Sequence, residues 1–222
     1  MKNILKLLLV LFPWFLKRIL LEIFFDYKLH KTARIGFSWI YPEKLIMEEN
    51  SKIGHLNVAI NLNKIHLMSG AKIGRSNWIT GFSLIKKSKH FLHQPNRKPE
   101  LIIGQESAIT KQHHLDCTNQ ISIGKFTTIA GYQSQFLTHS INIEMNRQDS
   151  LPIVIGDYCF VGTNVVVLGG AVLPSYSVLG AKSLLNKVQL NDYYLYGGVP
   201  AEPIKPLEKF ALYFNRTTGF VY

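Results

Sequence analysis

Between Ile155 and Lys187 the apolar positions recur every six residues: Ile155, Val161, Val167, Leu173, Leu179 and Leu185 are all aliphatic. A second beat runs four places behind it in the residues Cys159, Val165, Ala171, Ser177 and Ser183, and a glycine follows the aliphatic residue at Gly156, Gly162 and Gly180. On an α-helix, six steps turn through about 240°, so these side chains would scatter over three faces and form no stripe. On extended chain six is even, and every aliphatic residue points to the same side. The pattern therefore predicts one short strand and one corner per hexad, with the aliphatic residue inside and the small one where the chain turns. Self-similarity at this short period predicts an all-β solenoid, a parallel β-helix whose repeats stack into one core.

The same beat is weaker upstream. It runs through Ile35, Tyr41, Met47, Ile53, Ala59 and Ile65, then resumes two residues out of phase at Ile73, Ile79 and Ile85. It returns at Ile103, Ile109 and Leu115, and again at Ile123, Ile129 and Gln135. Two stretches break it: a basic loop with two prolines from Lys86 to Glu100, and a second from Ile141 to about Val154. Loops longer than about 12 residues inside a compact repeat usually serve function.

Residues 1–30 follow another pattern, apolar and helical in character but interrupted by Lys6, Pro13, Lys17, Arg18 and Glu22. Pro13 is expected to open a second helical piece, since proline suits a first turn. No run reaches the roughly 18 uninterrupted apolar residues of a spanning helix, and no small-residue cleavage site follows. Two readings stay open: amphipathic pieces at a membrane interface, with the Lys17 and Arg18 pair toward anionic lipid, or helices packed on the solenoid end or on a neighbouring copy. The division expected is thus a helical segment over 1–30, a β-helix domain over 31–205 and a tail over 206–222.

Composition narrows partners more than fold. The formal charge of +11 favours polyanionic partners, among them an anionic membrane or a phosphate-bearing small molecule. No nucleic-acid reading motif accompanies it, so nucleic acid is not expected. The two cysteines, Cys117 and Cys159, both fall in the repeat register and are too few for a disulfide framework, which points to a reducing compartment.

The run from Val167 to Ser183, followed by Gly197, Gly198, Val199, Pro200, Ala201 and Pro203, resembles the end of the hexapeptide-repeat acyltransferases. That family includes galactoside, maltose and serine acetyltransferases and many polysaccharide-cluster O-acetyltransferases. The resemblance covers roughly Ile35 to Lys205. It implies a left-handed parallel β-helix with three hexads per coil, here carrying an N-terminal helical appendage, usually a homotrimer, with acetyl-CoA as co-substrate and no metal. His139 stands where the family places its catalytic histidine, in the last hexad before a loop that ends in Pro152, Ile153, Ile155 and Gly156. An imidazole with pKa near 6.5 can take the proton of a hydroxyl as it attacks a thioester, and no covalent enzyme intermediate is then needed. Asp116 matches a family position that tends to bind the acceptor sugar; equally, an Asp there could cap a corner through its own backbone. His113 and His114 lie one coil before His139 as further acceptor candidates, but adjacent residues on extended chain face opposite ways, so at most one can look at the site. For CoA the resemblance points to Phe160 beside the thioester arm, to Gly180, Ala181 and Ser183 along the pantetheine, and to Lys205 near the phosphates. Glu202 departs from the pattern, since relatives are commonly basic there; and small residues at Gly180 and Ser183 also suit β-helix corners without any ligand.

The function expected is O-acetylation of a sugar hydroxyl, on a small-molecule or lipid-linked acceptor, in bacterial surface polysaccharide assembly. The enzyme is expected in the cytoplasm, peripheral on the inner face of the membrane. Two other classes compete. A zinc protein resembling the γ-type carbonic anhydrases would use three histidines, but the spacing of His113, His114 and His139 does not reproduce the expected strand pair. A non-catalytic scaffold would not require His139 or the Gly-Val-Pro ending.

Overall fold

A computed structural model describes residues 2–85 and 89–221. Lys86, which opens the first predicted loop, lies outside the described residues. The chain winds into seven coils, each giving one strand to each of three parallel sheets. The first coil comprises Lys28–Leu29, Arg34–Ile35 and Trp39–Tyr41; the last comprises Val172–Leu173, Val178–Leu179 and Leu184–Leu185. The fold is a left-handed parallel β-helix with an N-terminal helical appendage.

Three interior ladders hold the coils in register. Leu29, Met47, Leu67, Ile103, Ile123, Ile155 and Leu173 are paired rung to rung along the first sheet. Ile35, Ile53, Ile73, Ile109, Ile129, Val161 and Leu179 do the same on the second, and Ile40, Ala59, Ile79, Leu115, Phe136, Val167 and Leu185 on the third. All of them are buried. The two-residue slip expected after Ile65 is a four-residue strand, Lys64–Leu67, that turns both Ile65 and Leu67 inward. Three positions of the expected beat differ. Ile40 rather than Tyr41 occupies the third ladder; Phe136, not the exposed Gln135, follows Leu115, because the preceding corner is one residue longer. Ile85 is 66% exposed, the chain having left the solenoid after Thr80.

The corners between the second and third sheets are tied by a polar ladder. Ser38 Oγ accepts from the Asn57 N–H, Asn57 Oδ1 from Asn77, Asn77 Oδ1 from His113 and His113 Nδ1 from Ser134, at 2.9 to 3.2 Å. Each side chain thus satisfies the buried N–H of the same corner one coil later, where an orphan donor would cost about 1–3 kcal/mol. Cys159 has a comparable place at the corner between the first and second sheets: its N–H donates to Thr127 Oγ1 at 2.9 Å and its thiol is fully buried.

The two ends of the solenoid are finished in different ways. The β-helix starts at Lys28–Leu29, ahead of Ile35, and after Lys187 the strands Tyr194–Gly197 and Glu202–Pro206 extend the second sheet. The tail covers a stack formed by Phe126, Tyr158, Tyr176 and Tyr193, with centroids 4.6 to 5.2 Å apart. Phe214 meets Tyr176 and Tyr193 edge-on, and Arg216 lies over Tyr213. At the other end, helices α1 (Lys2–Leu11) and α2 (Trp14–Phe25) meet at Pro13 and cap the first coil. Leu9 and Leu21 join the core. Lys17 does not face outward with Arg18: it is buried, its Nζ donating to Gly36 O at 2.8 Å, and burial pulls its pKa down to about 8.

Candidate active site

Among the described residues, both long interruptions leave the solenoid at the same corner, where the third sheet hands the chain to the first. Residues 81–99 depart after the strand Trp78–Thr80, two coils below the second interruption. That second one is no open loop but a hairpin, His139–Asn142 paired antiparallel with Arg147–Ser150. Between their points of departure lies the strand His114–Asp116, which pairs with Gln135–Leu137 so that Asp116 is level with Leu137. His139, two residues further on, comes back over Asp116.

The contact is direct. Asp116 Oδ2 accepts from His139 Nδ1, and Asp116 Oδ1 accepts from the Thr118 N–H at 3.1 Å and the Thr118 hydroxyl at 2.7 Å. Asp116 is 4% exposed. Burial raises its pKa, but the hydrogen bonds from His139 and Thr118 outweigh that and hold it below the usual carboxylate range. The hydrogen bond to Asp116 raises the His139 pKa above its ordinary value, against the opposing effect of burial. A proton on Nδ1 facing a carboxylate leaves the lone pair on Nε2. The His139 side chain is 43% exposed, so that nitrogen has access to whatever enters beside it.

Two hollows meet at this imidazole. One, about 390 Å³, is lined by Thr80, Phe82, Phe91, His114, Asp116 and His139. The other, about 290 Å³, lies toward the later coils and is lined by Leu137, His139, Ser140, Leu151, Gly169 and Asn186. Gly169 is small of necessity: a Cβ there would stand 2.6 Å from Thr138 O.

Residues 89–99 are clamped to the hairpin. His93 Nε2 and Asp149 Oδ1 are 2.5 Å apart, and Gln94 holds the Ser150 backbone from both sides, accepting its N–H and donating to its carbonyl at 3.0 Å. Arg97 is buried over the faces of Phe91 and Phe82, at 4.7 and 5.4 Å, and donates to Thr118 O at 2.8 Å. Phe91 in turn presents its ring edge-on to His139 at 6.3 Å. A larger hollow of about 480 Å³ outside this clamp is lined by His93, Asn96, Lys98 and Gln120. His139 does not reach it, and His93 there is spent on the hairpin. The clamp was not named from sequence; the length of the two interruptions signalled function, but only their meeting at one corner reveals His93, Gln94 and Arg97.

The other predicted residues separate. His113 and His114 do face opposite ways: His114 lines the 390 Å³ hollow, whereas His113 is 1% exposed in the polar ladder. With Nδ1 accepting from Ser134 and Nε2 at 3.0 Å from Thr110 Oγ1, His113 has no nitrogen left for an acceptor, and burial depresses its pKa to about 4. Asp116 lines the same hollow, but both of its carboxylate oxygens are taken by His139 and Thr118. Phe160 projects from the second sheet; Gly180, Ala181 and Ser183 form the last corner between the second and third sheets, where Ser183 Oγ accepts from the Gly198 N–H at 3.2 Å. Lys205 is exposed on the added strand Glu202–Pro206, and Glu202 is ion-paired with Lys187 at 2.6 Å. Within one chain, then, the CoA candidates lie along a different edge of the prism from His139. Among the described residues no cluster of three or more His, Cys, Asp or Glu is placed to hold a metal ion.

No protein-family model matches the sequence, and no curated protein does. Solved structures do. The polysialic acid O-acetyltransferase OatWY superposes with a TM-score of 0.58 at 16% identity, over 81% of this chain and 84% of that one. A mutant of AntD, an N-acyltransferase from Bacillus cereus in complex with dTDP-4-amino-4,6-dideoxyglucose and coenzyme A, gives 0.52 at 16% identity over 90% and 93%. A hexapeptide-repeat acetyltransferase from Vibrio cholerae is 30% identical over 49% of this chain, with a TM-score of 0.46, and the chain spans 63% of its length. The fold is therefore that of the hexapeptide-repeat acyltransferases.

Proposed function

We propose that this protein is a hexapeptide-repeat O-acetyltransferase that moves the acetyl group of acetyl-CoA to a sugar hydroxyl in bacterial surface polysaccharide assembly, with His139 as general base. The observation that carries the reading is the His139–Asp116 pair, its Nε2 free to act between two hollows at the only corner where, among the described residues, the solenoid opens twice. The acceptor enters the 390 Å³ hollow, where the half-buried Phe82 ring suits the apolar face of a sugar, and the acyl thioester enters from the later coils.

Nε2 takes the hydroxyl proton as the oxygen attacks the thioester carbonyl. The C–O bond forms, the C–S bond breaks, and the proton passes from the imidazolium to the leaving CoA thiolate. Asp116 is the positioning residue: it holds Nδ1–H in place and stabilises the imidazolium that forms, the role of the carboxylate in triad chemistry. No covalent enzyme intermediate arises, in keeping with two cysteines that are fully buried and whose thiols burial pushes up in pKa.

The separation of the CoA candidates from His139 favours a homotrimer in which the edge bearing Phe160, Gly180, Ala181, Ser183 and Lys205 of one copy faces the His139 corner of the next. The enzyme would work in the cytoplasm, on a free sugar, nucleotide sugar or lipid-linked unit. The test is thiol release from acetyl-CoA against a panel of sugar acceptors, with mass analysis of the products and light scattering for the assembly. A product heavier by one acetyl group, made by a particle of three chains, is expected. Release of thiol only by hydrolysis, with every sugar unchanged, would contradict the proposal.

A further inference from the structure

The acyl-transfer reading leaves the outer face of the helix pair without a role. Both helices carry large apolar side chains on the face turned away from the solenoid as well as on the packed face, a pattern that suits a helix covered on more than one side or lying in lipid. Only one side is covered: Leu9 and Leu21 sit in the core, with Leu5, Phe12, Trp14, Leu20 and Phe25 packed on it. On the other side Leu7, Leu11, Phe15, Ile19 and Ile23 are 45 to 71% exposed. Phe15, Ile19 and Ile23 are four residues apart and form one stripe along α2; Leu7 and Leu11 share a face of α1 in the same way. Phe37, on the coil the helices cap, adds another exposed ring. A soluble surface seldom leaves so much contiguous apolar area bare.

Charge indicates what covers it. On the second sheet Arg34 is level with Lys52, and Lys52 with Lys72, all three exposed on successive rungs. Like charges stacked about 4.8 Å apart repel each other, a cost that a polyanionic surface relieves. Residues 2–34 hold seven Lys and Arg against only Glu22 and Asp26, and Glu22 is taken by Arg18 at 3.7 Å. Lys17 is excluded from this count of surface charge by its burial, but Lys28 and Lys31 are exposed on the same first coil. A second copy meeting this face about a two-fold axis would bring its own basic ladder toward this one, whereas an anionic lipid surface brings the opposite sign. Among the described residues no helix is long and apolar enough to cross a membrane. With 10 and 12 residues, α1 and α2 reach about 15–18 Å, half of a hydrocarbon core.

We infer that this end of the molecule docks on an anionic lipid bilayer, with the Leu7, Leu11, Phe15, Ile19 and Ile23 face lying in the interface and Arg34, Lys52 and Lys72 drawn to the headgroups. The surface holds the protein at the bilayer without crossing it, in the manner of interfacial helices.

The test is co-sedimentation of the full-length protein with vesicles of mixed phosphatidylglycerol and phosphatidylcholine, and with phosphatidylcholine alone. It needs no turnover, so its outcome is independent of the acyl-transfer proposal. Binding to the mixed vesicles is expected, weakened but not abolished by salt. Phe15→Gln/Ile19→Gln/Ile23→Gln should lose that binding while keeping the melting temperature, because these side chains make no core contact. Arg34→Gln/Lys52→Gln/Lys72→Gln should bind the mixed vesicles less tightly by about fivefold per charge removed and leave binding to neutral vesicles unchanged. A wild-type protein that stays in the supernatant with mixed vesicles would overturn the inference. So would equal pelleting of the wild type and both triple variants, or an apolar variant whose particle mass falls, which would make the face a contact between copies.

Discussion

Two corners of one solenoid carry histidines with opposite fates. Where the second sheet passes to the third, the chain turns within a few residues on every coil, and His113 is locked into the polar ladder with its pKa depressed to about 4. Where the third passes to the first, two insertions hold the corner open, and His139 keeps one nitrogen on Asp116 and the other in a groove. The repeat supplies the same rungs to both corners. What differs is whether chain is inserted there, and that difference separates a histidine that replaces an asparagine from one that can move a proton.

The largest effect expected from this contrast is catalytic. His139→Asn should lower the rate of acetyl transfer by about 10²- to 10⁴-fold, the usual cost of losing a general base, with the fold retained. His113→Asn should leave the rate within about threefold, since Asn57 and Asn77 already do the same ladder work on neighbouring coils. Steady-state kinetics of both variants checks the pair, and equal losses in the two would erase the distinction between the corners.

The next effect is acid sensitivity. His113 is neutral and buried, with a folded pKa near 4 against about 6.5 unfolded. Its contribution to stability is fully present above pH 6.5, because there neither state binds the proton. As pH falls from 6.5 to 4 the unfolded chain takes up a proton that the folded one refuses, and about 3 kcal/mol is lost. Denaturant titrations of wild type and His113→Asn across this window should converge and then cross as pH falls, the variant lacking that loss. Parallel curves would show that His113 is not the residue that titrates.

The smallest effect is on the ladder itself. His113→Leu keeps the volume but removes the acceptor for the Ser134 N–H, and should cost about 1–3 kcal/mol at neutral pH, while His113→Asn costs less. Chemical denaturation separates the two. A Leu variant as stable as the Asn variant would mean that the ladder bond contributes nothing.

How much of this was legible in the sequence follows the same contrast. The coils from Ile155 to Leu185 could be read directly, because a strict six-residue period has one extended interpretation. Where the period fails, so did placement: Ile85 continued the beat on paper although the chain had already left at Gly81, and Gln135 stood in for Phe136, since a one-residue lengthening of a corner leaves no trace in hydrophobicity. The resemblance marked both Asp116 and His139, but their mutual contact depends on the hairpin turning His139 back over the previous coil. The His93, Gln94 and Arg97 clamp joins parts of the chain 56 and 21 residues apart and has no local signal. Lys17 misled because α2 carries large apolar side chains on both its packed and its outer face, so hydrophobicity does not tell which face packs, and a lysine is assumed to point to water.

The most direct test of the central claim, that His139 held by Asp116 is the base, is the pH dependence of acetyl transfer at saturating acetyl-CoA. Only the neutral imidazole can accept the hydroxyl proton, so the rate should rise with pH through a single ionisation. Asp116 raises the His139 pKa, so that ionisation should lie above 6.5 in the wild type and move down toward 6.5 in Asp116→Asn, with a lower plateau. A flat profile in the wild type, or a midpoint unmoved by Asp116→Asn, would contradict the account.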